Sequence, residues 1–166
     1  MMISEKMNER LNDQINYELY SSYIYLAMAA AFEKMGLKVF AQYYYIQSDE
    51  ERMHAMKIFK FVVDVAGKII LKSIDEPKAK YDSVEEIAQI ARDHELKVTA
   101  RINDLVALAE EEKDFASRSF LQWFVDEQVQ EVATADELLT LVKMAGPSQI
   151  LNLEYRVSTM LGGQGG

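Results

Sequence analysis

The 166-residue chain contains no cysteine and only two prolines. Without a thiol it can form no disulfide, hold no cysteine-ligated zinc or iron–sulfur cluster, and use no thiolate nucleophile. The prolines are Pro77 and Pro147, and five of the seven glycines stand at Gly146 or later. Long stretches are therefore free of helix breakers, and the alternation of a half-buried strand is absent. No apolar run approaches the roughly 20 residues of a membrane span, so no membrane partner is expected. The opening segment from Met1 to Met7 carries no signal-peptide pattern, which leaves a cytoplasmic location as the expectation. Positive charge is also short: 18 Lys and Arg stand against 27 Asp and Glu, a formal net charge of −9. A nucleic-acid partner is not expected, because such binding draws on basic patches that displace counterions. Cationic partners, metal ions among them, suit the chain better. What is plentiful is apolar: 49% of residues are hydrophobic, enough for the core of one domain and too much for a disordered chain.

The pattern reads as all-α, one domain over residues 1–161 followed by a disordered glycine-rich tail at 162–166. Helix α1 is expected over about 4–35, closed by Gly36, and α2 over about 37–66, closed by Gly67. Ser83 is the candidate N-cap of α3, with Glu86 three residues on as its capping-box partner, and α3 runs to about 112. Asp114 caps α4, about 115–145, closed by Gly146. Pro147 sits early in a short α5, about 147–160. The α1–α2 and α3–α4 joints are so short that each pair must be an antiparallel hairpin. The segment 67–82 is different. A 30-residue helix is about 45 Å long, and sixteen extended residues reach roughly 50 Å. That segment can just run the length of a bundle. The expected architecture is a four-helix bundle with one long α2–α3 crossover and a short fifth helix. The other option is an up-down bundle with a floppy middle loop, but a structureless loop of that length would need a reason.

Steps of four and three residues trace an inward stripe on each helix. On α1 it is Leu11, Ile15, Glu18, Ser22, Tyr25, Ala29 and Phe32; on α2, Phe40, Tyr44, Gln47, Glu51, His54, Ile58, Phe61 and Val65. On α3 it is Val84, Ala88, Ala91, Glu95, Val98, Ile102, Leu105 and Ala109; on α4, Leu121, Phe124, Gln128, Glu131, Ala135, Leu138, Val142 and Ala145. Each stripe is apolar at its ends and ionisable near its middle. Midpoints coincide whether neighbouring helices run parallel or antiparallel, so Glu18, Glu51, His54, Glu95 and Glu131 should converge at one level of the core. A buried, unpartnered carboxylate costs several kcal/mol, and no basic residue stands on the stripes at that level. A multiply charged cation would balance them. Glu51 and His54 form a Glu-x-x-His pair, whose i, i+3 spacing turns both side chains to one face. Carboxylates with one imidazole suit iron, manganese or zinc, and four of them can hold two metals if a carboxylate bridges. A lone Glu-x-x-His arises by chance on many solvated faces; four mid-stripe carboxylates on four helices are much harder to obtain that way. His94, beside Glu95 but off the stripe, is expected at the surface or behind the ligands. Tyr43 and Tyr45 flank the stripe residue Tyr44, so at least one is expected to point outward. The stripe Ile150, Leu153 and Val157 of α5 could pack on a symmetry mate or fold back on its own bundle.

Four segments together resemble the non-haem ferritins of bacteria and archaea: Leu11 to Tyr25, Asp49 to Lys57, His94-Glu95, and Phe120 to Glu131. The resemblance covers nearly the whole chain, from Ser4 to about Ser158. It implies the ferritin-like fold and a ferroxidase centre, where two Fe(II) per protomer are oxidised by dioxygen or hydrogen peroxide. The ferric product would be stored as mineral in a hollow 24-mer shell. Carried over by residue, Glu18, Glu51 and His54 would bind the first iron, Glu51 would bridge, and Glu95 and Glu131 would hold the second. Gln128 would lie beside the pair, and Tyr25 would supply an electron to dioxygen. Trp123 matches a nearby tryptophan, although core packing would equally explain it. Glu50 and Glu127 match a third iron site, but Gln130 stands where a glutamate is usual, which implies a weak third site or none. Bacterioferritins carry a second Glu-x-x-His in α4 and a haem-binding methionine after the α2 glutamate. Here Glu127 is followed at i+3 by Gln130, and Arg52 follows Glu51, so no haem is expected. Two other functions fit the same ligands: a di-iron oxidase or peroxidase without storage, and an assembly protein whose acidic core is a metal-stabilised clip. A full-length rubrerythrin-type enzyme is excluded by the missing cysteines.

Overall fold

A computed structural model describes residues 2–161; the glycine-rich tail at 162–166 lies outside the described residues. The chain is all-helical: α1 Glu5–Met35, α2 Lys38–Asp64, α3 Val84–Glu111, α4 Phe115–Ala145, a 3₁₀ turn at Pro147–Gln149, and α5 Ile150–Leu161. The ends are set by local chemistry. Ser4 Oγ accepts from the Met7 amide at 2.9 Å, and Gly36 takes the left-handed conformation (φ 77°) that closes α1. Asp114 accepts from the Ser117 amide at 3.0 Å and opens α4. Ser83 caps α3 by accepting from the Glu86 amide at 3.0 Å, but the Glu86 carboxylate does not return to Ser83. It accepts from the Asp82 amide at 2.6 Å and pairs with Lys78, so the capping box is only half formed.

Helix α2 stops two residues earlier than its sequence suggests. Ala66 (φ 56°), not Gly67, takes the left-handed position, and the Gly67 amide donates to Val62 O at 2.8 Å. Gly67 is instead required by close approach. A Cβ there would lie 2.5 Å from Asn8 Oδ1 and 2.8 Å from Val62 Cγ1. Asn8 Oδ1 cannot simply swing away, because it accepts from the Lys68 amide at 2.9 Å. Gly67→Ala should therefore destabilise the protein by about 1–3 kcal/mol, the usual cost of overpacking. Thermal denaturation of the variant beside the parent measures it, and an unchanged midpoint would refute the steric reading.

The α2–α3 segment is a crossover and is not floppy. Asparagines at i, i+4 and i+8 of α1 hold its backbone. Asn12 donates to Lys68 O at 2.8 Å and accepts from the Ile70 amide at 2.6 Å, and Asn16 donates to Ser73 O at 3.3 Å. The segment spans the bundle, as the core shows. That core comes in two apolar halves. One contains Phe32, Phe40, Ile87 and Val142; the other contains Met7, Val62, Leu108 and Leu121. Helix α2 thus ends in the half where α1 begins, while α3 begins in the opposite half.

Helix α5 folds back on its own bundle. Leu153 and Val157 are buried among the first half's residues, and Glu154 accepts from the Val39 amide at 2.8 Å. Its other face, with Leu151 and Tyr155, is exposed. Of the tyrosines beside Tyr44, Tyr43 is buried edge-on against it, with ring centroids 5.1 Å apart, and Tyr45 is half-buried. In a bundle the buried face is wider than a single stripe, so a flanking residue is easily covered.

Candidate metal centre

Between the two apolar halves lies a polar layer. Glu18, Glu51, His54, Glu95, Gln128 and Glu131 are all buried there, each near the middle of its helix. Glu18, Glu51 and His54 each offer a ligand atom within 4.8 Å of the others, and so do His54, Glu127 and Glu131. His54 is therefore shared by two potential cation positions. Among the described residues, none of the four buried glutamates is ion-paired with a lysine or arginine.

Side-chain donors hold three of the four carboxylates. Gln14 donates to Glu18 Oε1 at 2.8 Å, and Gln47 donates to Glu131 Oε2 at 3.1 Å. Glu95 accepts from the Tyr25 hydroxyl on Oε1 and from Gln128 at 3.1 Å on Oε2. Gln128 is itself set by Thr99 Oγ1 at 3.2 Å. Glu51 differs. Both of its oxygens, together with Glu18 Oε2 and His54 Nδ1, are buried without a hydrogen-bond partner. The Glu51 Oε2 to His54 Nδ1 separation of 3.5 Å is contact without a hydrogen bond. Buried polar atoms are rarely left so, and each one needs a reason.

The electrostatics agree. Burial, then Glu51, pushes Glu18 well above the usual carboxylate range, and burial, then Glu95, does the same to Glu51. Burial raises Glu95 against the opposing hydrogen bonds from Tyr25 and Gln128. Burial, then Glu95, Glu50 and Glu127, pushes Glu131 up to about 9. Each carboxylate makes the next harder to ionise, so a cation in the layer would displace protons from these carboxyls. The donor set, rich in hard oxygen with a single imidazole, fits a divalent first-row metal.

Of the remaining sequence candidates, Tyr25 is buried at the layer and bonded to Glu95. Glu127 joins His54 and Glu131, whereas Glu50 is in neither trio and lines, with His54 and Glu127, a cleft of about 480 Å³. Glu95, turned to Tyr25 and Gln128, belongs to neither close trio. Trp123 is not core: it is 39% exposed, edge-on to His54 at 5.5 Å, with the Lys57 ammonium 4.2 Å from the centroid of its ring. His94 is not at the surface. It is buried, bonded through Nε2 to Ser21 Oγ at 2.7 Å, stacked on Tyr17, and edge-on to Tyr25 at 5.9 Å. Burial holds its pKa down at about 4. The donors Gln14 and Gln47 escaped the sequence reading as functional residues, although each precedes a candidate ligand by four residues, the spacing that brings side chains together on a helix.

This bundle, with its crossover and its layer of carboxylates around one imidazole, is the arrangement of ferritin-like proteins. The chain belongs to that family: the family profile described as "Ferritin-like domain" matches residues 8–145. More narrowly, it groups with the bacterial and archaeal non-haem ferritins. It is 37% identical over 145 residues to a bacterial non-heme ferritin of Staphylococcus haemolyticus, covering 87% of each chain. A bacterial non-heme ferritin of Staphylococcus aureus is 37% identical over 132 residues, 80% of each. The crystal structure of an open pore ferritin from the archaeon Archaeoglobus fulgidus superposes with a TM-score of 0.92 at 44% identity, covering 95% of this chain and 97% of that one.

Proposed function

We infer that the protein is an iron-storage ferritin with ferroxidase activity, taking up Fe(II), oxidising it in the bundle and storing the ferric product. The observation that carries this is the buried layer of four carboxylates and one imidazole with no lysine or arginine paired to it. Glu18, Glu51 and His54 take the first iron, and Glu95 and Glu131 the second. Glu51 serves both; its two unpartnered oxygens support a bridging role. Gln128 steadies Glu95. Tyr25, whose hydroxyl already donates to Glu95, is placed to give up an electron while its proton passes to that carboxylate. Hard carboxylates favour Fe(III) over Fe(II), which drives electrons toward dioxygen or hydrogen peroxide. A third ion is weakly held at best. Glu127 has His54 and Glu131 beside it, but Gln130 is exposed and offers only a neutral amide. Family membership supports assembly into a shell, for which we take the 24-mer, and a cytoplasmic setting; among the described residues no helix is long and apolar enough to cross a membrane.

Anaerobic titration with Fe(II), followed by an oxygen pulse on material sized by light scattering, tests the proposal. About two Fe(II) per protomer should bind before oxygen and be oxidised together. Uptake without oxygen consumption would favour the structural clip. A small, well-behaved oligomer in place of a shell would favour an oxidase without storage.

A further inference from the structure

Gln14 is fully buried beside α1's ligand Glu18, and its amide faces two groups of opposite charge. Its Nε2 donates to Glu18 Oε1 at 2.8 Å, and its Oε1 accepts from Arg101 Nε at 2.9 Å. An arginine can only donate, so the amide oxygen must face Arg101 and the amide N–H is left for Glu18. Arg101 is fixed in turn. It donates from its terminal nitrogen to Asp13 O at 3.2 Å and lies over the Tyr17 ring, 4.2 Å from the centroid.

We propose that Gln14 and Arg101 are a positioning pair for the first metal position, holding Glu18 with one oxygen engaged and the other free for the incoming ion. This rests on the reading of the layer as a metal centre. A guanidinium in direct contact would take both carboxylate oxygens and compete with the metal. The intervening amide transmits one hydrogen bond only, and Glu18 Oε2 is left without a partner. Contact with Arg101 also polarises the amide, which makes its N–H the stronger donor. A glutamate side chain has several rotatable bonds, and fixing them before the ion arrives removes part of the ordering cost of binding. Gln14 and Arg101 touch no metal and are not catalytic residues.

The test uses the full-length assembled protein and Co(II) as probe, titrated without oxygen and followed by its visible d–d absorption. The parent should bind in two steps. Gln14→Leu should weaken the first step by about tenfold or more, the usual effect of losing a supporting partner, and leave the second within about twofold. Arg101→Met should weaken the same step, and Arg101→Lys, which keeps a donor for the Gln14 oxygen, should recover most of it. A first step within about twofold of the parent in Gln14→Leu would overturn the proposal. So would equal weakening of both steps with a lowered melting temperature, which would mark general loosening. A parent protein that binds no Co(II) would remove the underlying reading itself, and that result is distinct from either.

Discussion

Glu51→Ala should slow initial Fe(II) oxidation by more than about 100-fold while leaving the bundle assembled. Loss of a partner that merely supports a ligand costs about 10–100-fold in metal affinity or activity, and Glu51 is assigned to both irons. The same change should cost the metal-free protein less stability than truncating a buried side chain ordinarily does. Truncating a buried side chain ordinarily opens a destabilising cavity. Here, however, the atoms removed include two buried oxygens with no hydrogen-bond partner, in a carboxyl that burial and Glu95 hold well above its usual range. Leaving such atoms unsatisfied costs about 1–3 kcal/mol each, which offsets much of the cavity term. Stopped-flow absorbance of the ferric product reads the first effect, and thermal denaturation of the metal-free protein reads the second. An unchanged oxidation rate would end the case for a bridging Glu51.

The metal-free protein should lose several kcal/mol of stability between pH 5 and pH 9, opposite to the usual behaviour of carboxylates. Glu131 ionises near 4.5 in an ordinary setting and up to about 9 in the folded protein. Between those values the native state binds one proton more than the unfolded chain. Stability therefore falls as pH rises, by about 1.4 kcal/mol per pH unit for each such group. The contribution is fully present below about 4.5 and gone above about 9. Glu18, Glu51 and Glu95 are raised in the same direction and add to the trend. Metal reverses it: the ligands must shed their protons, so affinity rises with pH and uptake releases protons. Urea denaturation of the metal-free and Zn(II)-saturated protein across this range should give curves that diverge with pH. Glu131→Gln should flatten the metal-free curve. A metal-free protein that gains stability toward pH 9 would show that these carboxylates are not buried as described.

Much of this was legible in the sequence because helix periodicity is a strong signal over 30 residues. The stripes carrying Glu18, Glu51, His54, Glu95 and Glu131 are buried where they were expected, and Gly36 and Asp114 mark the helix ends they announced. What periodicity reports is the face a residue occupies, not where its side chain turns. Hence Glu95 lies on the right face yet is turned to Tyr25 and Gln128. For His94 the stripe left two places open, the surface or behind Glu95, and the structure takes the buried one, because a packed helix buries more than one stripe and Ser21 and Tyr17 of another helix cover it. Gly67 was correctly seen as a boundary but for the wrong reason. Its constraint is the approach of Asn8 from about sixty residues away, which no local pattern carries.

The division of the core into two apolar halves should invert the usual gradient of local stability. Helices ordinarily fray from their ends while their centres exchange amide protons most slowly. In this bundle each end is anchored in an apolar cluster, and the acids that repel one another meet across all four midpoints. Amide exchange in the metal-free protein should therefore be fastest at the four helix midpoints and slowest in the two apolar clusters. A cation held by the layer would act as the cross-brace between those clusters, and loading should slow exchange at the midpoints most.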